Sequence, residues 1–214
     1  GIAEILFQSG YYVQGSDIAD SNNTIRLRRI GIKVYIGQKK SNILNAKLVV
    51  VSTAISPQNI EYMTAKKLFL PVVHRSEMLG ELMRLKQSIA IAGTHGKTTT
   101  TSLIAKMIEE NGMDPTIING GIISSLDSNA KLGNGEWMVV AADESDGSFA
   151  KLNPTVAIIT NIDLEHLDYH KSEENLEKAF LHFVSSIPFY GFVCLSIDNP
   201  RPQKLISKQK KKKV

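Results

Sequence analysis

The chain has 214 residues, of which 43% are apolar, enough to bury the core of one large domain or two modest ones. Its net charge of +4 comes from the C-terminal end, where seven Lys or Arg and no acidic residue lie between Arg201 and Val214. Because the rest of the chain is slightly acidic, the charge does not favour a nucleic-acid-binding protein. No segment approaches the roughly eighteen apolar residues that cross a bilayer, so we expect no membrane insertion.

A single cysteine, Cys194, rules out a disulfide within the chain and indicates a cytoplasmic protein. It stands in the apolar run 192–195, which predicts a small side chain buried in a strand. The first residues are typical of a helix that ends at Gly10. A chain that begins inside such a helix is expected to have lost an upstream strand.

Short apolar strands alternate with helices in the first part of the chain. The strands are predicted at 11–14, 33–36, 48–52 and 71–73, and the helices at 24–30 and 60–68. This alternation predicts a parallel sheet covered by helices, in a first domain that spans 1–86. Ligands of such sheets bind beyond the carboxyl ends of the strands, where Ser52 and His74 lie. Either residue can equally serve a turn or a helix cap.

The pattern starts again after residue 86, which predicts a second domain over 87–206 and a basic, disordered tail over 207–214. Helices are predicted at 98–111 and 172–186, and further strands at 116–118, 137–141, 155–160 and 192–197. The second helix opens with a capping Ser172, followed by two acidic residues that favour the positive end of the helix dipole.

The segment that opens the second domain joins an apolar strand to a helix through a glycine-rich turn. Its residues are Gly93, Thr94, His95, Gly96, Lys97, Thr98 and Thr99. Backbone N–H groups of such a turn converge on phosphate oxygens, the lysine adds a positive charge, and the hydroxyl after it can hold magnesium. We therefore predict a nucleotide site, although Ile91 stands where the general pattern has its first glycine. The alternative is a structural turn with a solvated lysine, which leaves the run of threonines unexplained.

Polar clusters follow two further strands of the second domain. One is Asp143-Glu-Ser-Asp-Gly-Ser-Phe149, and the other is Thr160-Asn-Ile-Asp-Leu-Glu-His-Leu-Asp168. Both are expected at the same sheet edge as the phosphate loop, where carboxylates can hold magnesium directly or through water. Glu165, His166 and Asp168 offer a mixed oxygen and nitrogen set for a second divalent ion. A solvated acidic loop is the alternative for the first cluster.

With these three motifs in this order, the chain resembles the Mur ligases of peptidoglycan synthesis, and among them the members that attach L-alanine to UDP-N-acetylmuramate. The likeness covers 1–206 and includes Ser52-Thr-Ala-Ile-Ser56, His74-Arg-Ser-Glu-Met78 and Pro188-Phe-Tyr-Gly191. It implies a Rossmann-like, parallel-sheet UDP-sugar-binding domain followed by an incomplete phosphate-loop-type α/β domain that binds ATP. It also implies a ligase that activates the substrate carboxylate as an acyl phosphate before the amine of L-alanine attacks.

The resemblance assigns roles to individual residues. Lys97 and His166 are the catalytic residues that it implies, with Lys97 neutralising charge at the transferring phosphoryl group. Thr98 and His166 are the implied magnesium ligands, and Asn161 lines the nucleotide site. The residues expected to face the UDP-sugar are His95, Gly120, Gly121, Glu144, Ser145, Asp146 and Ser148, with Ser52 and His74 in the first domain.

Three departures from the family reduce the activity that we expect of this chain. Ala141 stands where the family has a magnesium-binding glutamate, the opening strand with its glycine-rich turn is missing, and nothing represents the third domain that closes over ATP. We expect little or no ligase activity, since the acyl phosphate would be exposed to water. The alternatives are a non-catalytic module that binds nucleotide or UDP-sugar, and a phosphotransferase of another kind with a similar loop.

Overall fold

The computed structural model describes residues 1–123, 128–145, 147–165, 167–198 and 200–208. The chain divides into two compact units, Ile2–Met78 and Leu79–Val214, the second of which includes Gly1. The division falls inside the helix Arg75–Arg84. The boundary predicted after residue 86 coincides with the start of the next strand, and the domain limits stay a prediction.

The first unit alternates helices and strands. Its elements are α1 (Ile2–Gln8), β1 (Gln14–Asp17), α2 (Asn22–Arg29), β2 (Lys33–Ile36), a short 3-10 helix (Lys40–Ile43), β3 (Val49–Val51), α3 (Ile60–Lys67), β4 (Val72–His74) and the start of α4 (Arg75–Arg84). β1 pairs in parallel with β2, and β3 with β4, so the strands form two parallel sheets of two strands each. β3 and β4 therefore end at the same edge of their sheet.

The first strand begins later than its apolar sequence predicts. The backbone N–H of Tyr11 donates to the carbonyl O of Leu6 at 3.1 Å, and Gly10 has a left-handed φ of +90°. These features close the C-terminus of α1 and carry Tyr11 and Tyr12 out of the sheet. The two tyrosines are 62% and 81% exposed, and β1 starts only at Gln14.

The second unit is built on one six-stranded sheet. Its elements after α4 are β5 (Gln87–Ala92), α5 (Lys97–Glu110), β6 (Thr116–Ile123), β7 (Ser128–Lys131), β8 (Trp137–Ala141), a 3-10 helix (Ser148–Lys151), β9 (Val156–Ile159), α6 (Leu167–His170), α7 (Glu173–Ser185), β10 (Phe192–Leu195) and α8 (Pro200–Lys208). The strand order is β10-β9-β5-β8-β6-β7, and every neighbouring pair is parallel except β6 with β7. The sequence predicts the five parallel strands, α5 and α7, but not β7, α4 or α8.

The core of the second unit lies around the central strands and α7. Ile91 of β5 and Val139 of β8 are fully buried. In the 3-10 helix that follows β8, Phe149 packs against Phe180 and Phe183 of α7, with ring centroids 4.9 and 5.3 Å apart. The carboxyl ends of β5 and β8 therefore lie next to a close-packed core.

The prediction that Cys194 is buried is wrong. β10 lies at one edge of the sheet, and its side chains alternate between exposed and half-buried. Phe192 and Cys194 are the exposed ones. An apolar run predicts buried side chains only if both faces of the strand are covered by other parts of the protein. The local sequence does not show whether a strand lies at the edge or in the centre of its sheet.

α8 continues to Lys208, into the segment predicted as a disordered tail, and residues 209–214 lie outside the described part. Pro202 and Leu205 are buried, and Arg201 donates to Glu173 of α7 at 3.1 Å. These contacts anchor a basic helix on α7. Among the described residues, no helix combines the length and the apolar character that a bilayer span requires.

Candidate nucleotide-binding site

The turn between β5 and α5 has the backbone that its glycines predict. Gly93 has a φ of +133° and Gly96 a φ of +79°, both in the region that favours glycine. A Cβ on Gly93 would lie 2.2 Å from Thr160 Oγ1 and 2.8 Å from the carbonyl O of Asn161. Glycine is therefore required at position 93 by the close passage of the segment that follows β9.

α5 begins at Lys97 directly after Gly96, which has no side chain to cap the helix. The N–H groups of a first helical turn point out of the helix and lack partners within it. Thr98 and Thr99, in this turn, have exposed side chains. Such a helix start attracts anions through its N–H groups and its dipole, so it suits a phosphate group.

A second segment, the loop after β9, is joined to the phosphate loop by hydrogen bonds. The backbone N–H of His95 donates to Asn161 Oδ1 at 2.8 Å, and Asn161 Nδ2 donates back to the carbonyl O of His95 at 3.0 Å. Thr160 Oγ1 donates to the same carbonyl at 2.7 Å, and the N–H of Asp163 donates to Thr94 Oγ1 at 2.8 Å. Asn161 thus holds the loop in shape, and Thr160 is a partner that the sequence analysis missed.

A third segment, which follows β8, brings Glu144 to the lysine of the loop. Lys97 Nζ donates to Glu144 Oε1 at 2.8 Å, and also to the carbonyl O atoms of Gly93 at 2.6 Å and Thr94 at 3.2 Å. Burial raises the pKa of the Glu144 carboxyl above its usual range, and the hydrogen bond and charge of Lys97 oppose that shift. His170 Nε2 lies 2.9 Å from the carbonyl O of Glu144 and is buried. His170 stands in an ordinary helical stretch, so no sequence signal marked it.

The histidine of the phosphate loop faces carboxylates. His95 Nε2 is 3.4 Å from Glu165 Oε1 and 3.6 Å from Asp163 Oδ2. His166 and the side chain of Asp168 lie outside the described residues, so the ion site predicted from Glu165, His166 and Asp168 stays a prediction. Within the described ranges, no group of three or more His, Cys, Asp and Glu side chains is arranged to hold a metal ion.

Thr98, a predicted magnesium ligand, lies beside the glycine pair of β6. A Cβ on Gly120 would lie 3.9 Å from Thr98 Oγ1, and one on Gly121 would lie 3.4 Å from Thr98 Cγ2. The buried Asn119 donates to the carbonyl O of Thr98 and to Ser102 Oγ, both at 3.1 Å. Gly120 and Gly121 thus come together with the phosphate loop, and Asn119 is an anchor that the sequence analysis missed.

The rest of the acidic segment after β8 forms a turn. The backbone N–H of Ser145 donates to Asp143 Oδ1 at 3.1 Å. Asp146 and the side chain of Ser148 lie outside the described residues. The structure therefore brings Glu144 to the phosphate loop, whereas contact of Ser145, Asp146 and Ser148 with a sugar stays a prediction.

The predicted residues of the first unit lie at the carboxyl ends of β3 and β4. Ser52 follows Val51, which is paired with His74. His74 Nδ1 is 2.7 Å from Ser76 Oγ, and its backbone N–H donates to Glu77 Oε2 at 2.9 Å. His74 Nε2 is buried, and the described residues provide no hydrogen-bond partner for it. A ligand contact for Ser52 and His74 stays a prediction.

Comparison with known proteins identifies relatives of both units. Residues 1–87 match the family model described as "Mur ligase family, catalytic domain", and residues 91–214 match "Mur ligase middle domain". The chain is 57% identical over 214 residues to the UDP-N-acetylmuramate--L-alanine ligase of Parvibaculum lavamentivorans. This match covers all of this chain and 44% of that protein. Identity to the Rhodospirillum rubrum enzyme of the same name is 54%, with the same coverage.

A solved structure extends this likeness to three dimensions. The crystal structure of UDP-N-acetylmuramate-alanine ligase MurC from Thermotoga maritima is similar with a TM-score of 0.87 and 28% sequence identity, over 95% of this chain and 47% of that chain. The chain therefore spans less than half the length of each of these three relatives.

Proposed function

Because this chain belongs to the Mur ligase family, we propose that it forms the first two domains of an ATP-dependent ligase that joins L-alanine to UDP-N-acetylmuramate in peptidoglycan precursor synthesis. Related members of this family are ATP-dependent ligases that form amide bonds. The observation that carries the proposal is the meeting of three strand-end segments at one edge of the sheet. Lys97 bonds to Glu144 at 2.8 Å, and Asn161 bonds to the backbone of His95 at 2.8 Å.

The phosphate loop is the proposed site for the triphosphate of ATP. The N–H groups at the start of α5 and the ammonium of Lys97 stabilise the charge on the phosphoryl group as it passes to the substrate carboxylate. The hydroxyl of Thr98 is exposed beside Lys97, and it is an oxygen donor of the kind that magnesium prefers. His166 is the proposed second magnesium ligand. When bound, the ion would supply positive charge that offsets the negative charge of the phosphate.

UDP-N-acetylmuramate is the proposed second substrate. Its carboxylate receives the phosphoryl group, the amine of L-alanine attacks the acyl phosphate, and phosphate leaves. The residues proposed to contact the UDP-sugar are Ser52, His74, His95, Gly120, Gly121, Glu144, Ser145, Asp146 and Ser148. A cytoplasmic location without a nucleic-acid or membrane partner is inferred from the composition alone.

Calorimetric titration with magnesium ATP tests the nucleotide site. We expect Lys97→Met to weaken ATP binding at least roughly tenfold, because a charge-assisted hydrogen bond to phosphate is lost. Lys106→Met is the matched control, since Lys106 lies on the same helix but pairs with Glu110 on its exposed face. Equal ATP affinity in both variants would contradict the proposal.

A second candidate function is binding without turnover, and Ala141 favours it. Ala141 ends β8 and pairs with Ile91 at the edge that carries the phosphate loop, where its methyl group cannot bind a cation. We expect the 214-residue chain alone to bind magnesium ATP and UDP-N-acetylmuramate with little or no phosphate release. Release of phosphate at a rate like that of a full-length relative, after addition of L-alanine, would exclude this candidate. Binding of ATP without UDP-N-acetylmuramate would instead limit this candidate to a module that binds nucleotide alone.

A further inference from the structure

The ammonium of Lys97 already has a full set of hydrogen bonds. A lysine ammonium has three N–H donors. In this structure three oxygens accept from it: the carbonyls of Gly93 and Thr94 and the carboxylate of Glu144. No donor is left for a phosphate oxygen, so a triphosphate that uses Lys97 must first displace at least one of these acceptors.

Glu144 is the acceptor that competes most strongly, because it carries a charge. Its side chain is 2% exposed, and that of Lys97 is 20% exposed. At such a poorly hydrated site, a hydrogen bond to a charged carboxylate is stronger than one to a neutral carbonyl oxygen. The Glu144 carboxylate therefore accepts from Lys97 a hydrogen bond that a phosphate oxygen would otherwise accept.

The backbone of Glu144 is held in place by hydrogen bonds. The carbonyl O of Glu144 contacts His170 Nε2 at 2.9 Å and accepts from the N–H of Gly147 at 3.0 Å. His170 is buried, and its own carbonyl accepts from Asn175 of α7 at 2.9 Å. The backbone of Glu144 is thus linked through His170 to α7, whereas the long side chain of Lys97 can change its rotamer.

We propose that Glu144 is a positioning residue that holds the ammonium of Lys97 and competes with phosphate for it. The inference rests on the proposed nucleotide site and assigns a function to Glu144 that contact with a sugar does not require. The ion pair keeps the half-buried Lys97 side chain oriented, and it reduces the affinity of the loop for triphosphate. Nucleotide binding exchanges the carboxylate for a phosphate oxygen.

The substitution Glu144→Gln tests the proposal, because it removes the charge and retains the shape and an oxygen acceptor. We expect ATP, and inorganic tripolyphosphate without magnesium, to bind about tenfold more tightly to E144Q in calorimetry, since the ion pair between Glu144 and Lys97 no longer has to be broken. In the absence of ligand, we expect an amine-reactive reagent to label Lys97 several times faster in E144Q, as measured by peptide mass spectrometry.

Two controls separate this competition from a general effect of charge. Glu110→Gln removes a carboxylate from the helix that carries Lys97, but the ionic contact of Glu110 is with Lys106 and not with Lys97. We expect E110Q to leave both the labelling of Lys97 and the tripolyphosphate affinity within about twofold of the unsubstituted chain. In a Lys97→Met background, the gain from E144Q should disappear.

The outcomes distinguish this proposal from the proposed function. Unchanged or weaker tripolyphosphate binding in E144Q, or an equal gain in E110Q, would overturn the competition. If ATP binds to none of the proteins, the nucleotide function fails, and the labelling of Lys97 still decides whether Glu144 holds it. If the fluorescence of Trp137 shows that E144Q is unfolded, Glu144→Asp replaces it, because the shorter side chain draws the carboxylate away from Lys97. Slow labelling of Lys97 in E144D would then contradict the proposal.

Discussion

Replacement of Gly93 by alanine tests whether the phosphate loop and the loop after β9 form one unit. A Cβ at this position would lie 2.2 Å from Thr160 Oγ1, 2.8 Å from the carbonyl O of Asn161 and 3.0 Å from its backbone N. Thr160 Oγ1 can rotate away, but two of the three atoms belong to the backbone. The two loops must therefore separate, and the hydrogen bonds between His95 and Asn161 are lost with them.

Backbone strain and steric overlap together set the size of this effect. The φ of +133° at Gly93 is strained for alanine by about 1–3 kcal/mol, and forcing a methyl group into a packed site adds about 1–3 kcal/mol. We expect G93A to lower the free energy of unfolding of the second unit by about 2–6 kcal/mol. Gly112→Ala is the matched control, because Gly112 has a φ of +74° but a Cβ added there would meet nothing within 4 Å. Backbone strain alone then costs about 1–2 kcal/mol.

Urea unfolding followed by the fluorescence of Trp137 measures both variants. Trp137 is the single tryptophan and begins β8, so its emission reports on the second unit. We also expect G93A to lose ATP binding and G112A to keep it. Equal loss of stability in the two variants, or normal ATP binding by G93A, would show that close contact between the loops does not shape the site.

Three further predictions concern the core, acid stability and Ala141. Phe180→Ala should lower the unfolding free energy by about 3–5 kcal/mol in urea, because its ring is fully buried, whereas the 91% exposed Phe189→Ala should change it by less than about 0.5 kcal/mol. A backbone hydrogen bond from Asn134, followed by Lys131, lowers the pKa of Asp114, so its contribution to stability is present above the ordinary carboxyl pKa and is lost as the pH falls through the lower folded value. Asp114→Asn should therefore flatten the acid side of the stability profile recorded by Trp137 fluorescence, and an unchanged profile would exclude Asp114 as its source. Ala141→Glu should tighten binding of magnesium ATP relative to ATP alone in calorimetry, and an equal effect on both would show that position 141 does not reach the ion.

The local elements of this fold could be predicted because their signals lie within a few residues. β2 and β8 have the predicted bounds, and α7 follows Ser172, whose hydroxyl accepts from the N–H of Asn175 at 3.2 Å. By contrast, β7 consists of Ser128-Asn-Ala-Lys131, which has little strand preference and forms a strand only by pairing with β6. Such pairing depends on residues distant in sequence, so the local pattern does not indicate it.

Some residues of the candidate site could be predicted from the local sequence, and others could not. Lys97 and Thr98 could be predicted because a glycine-rich turn between a strand and a helix binds phosphate through its own backbone. The contacts of Asn119, Thr160 and His170 could not, since each acts on the site from another segment, and Asn119 and His170 belong to no motif of their own. Their importance follows from distances of about 3 Å that exist only once the chain has folded.

The amino-acid sequence by itself determined the alternation of strands and helices, the phosphate loop and the two acidic clusters, because turn chemistry and apolar periodicity act over short stretches of chain. Only the tertiary structure decided that β5 lies between β8 and β9, that β10 with Cys194 is an exposed edge, and that Glu144 bonds to Lys97. The order of strands in a sheet results from packing across the whole unit. It is this order that brings three separate strand ends to one edge and makes a single site of them.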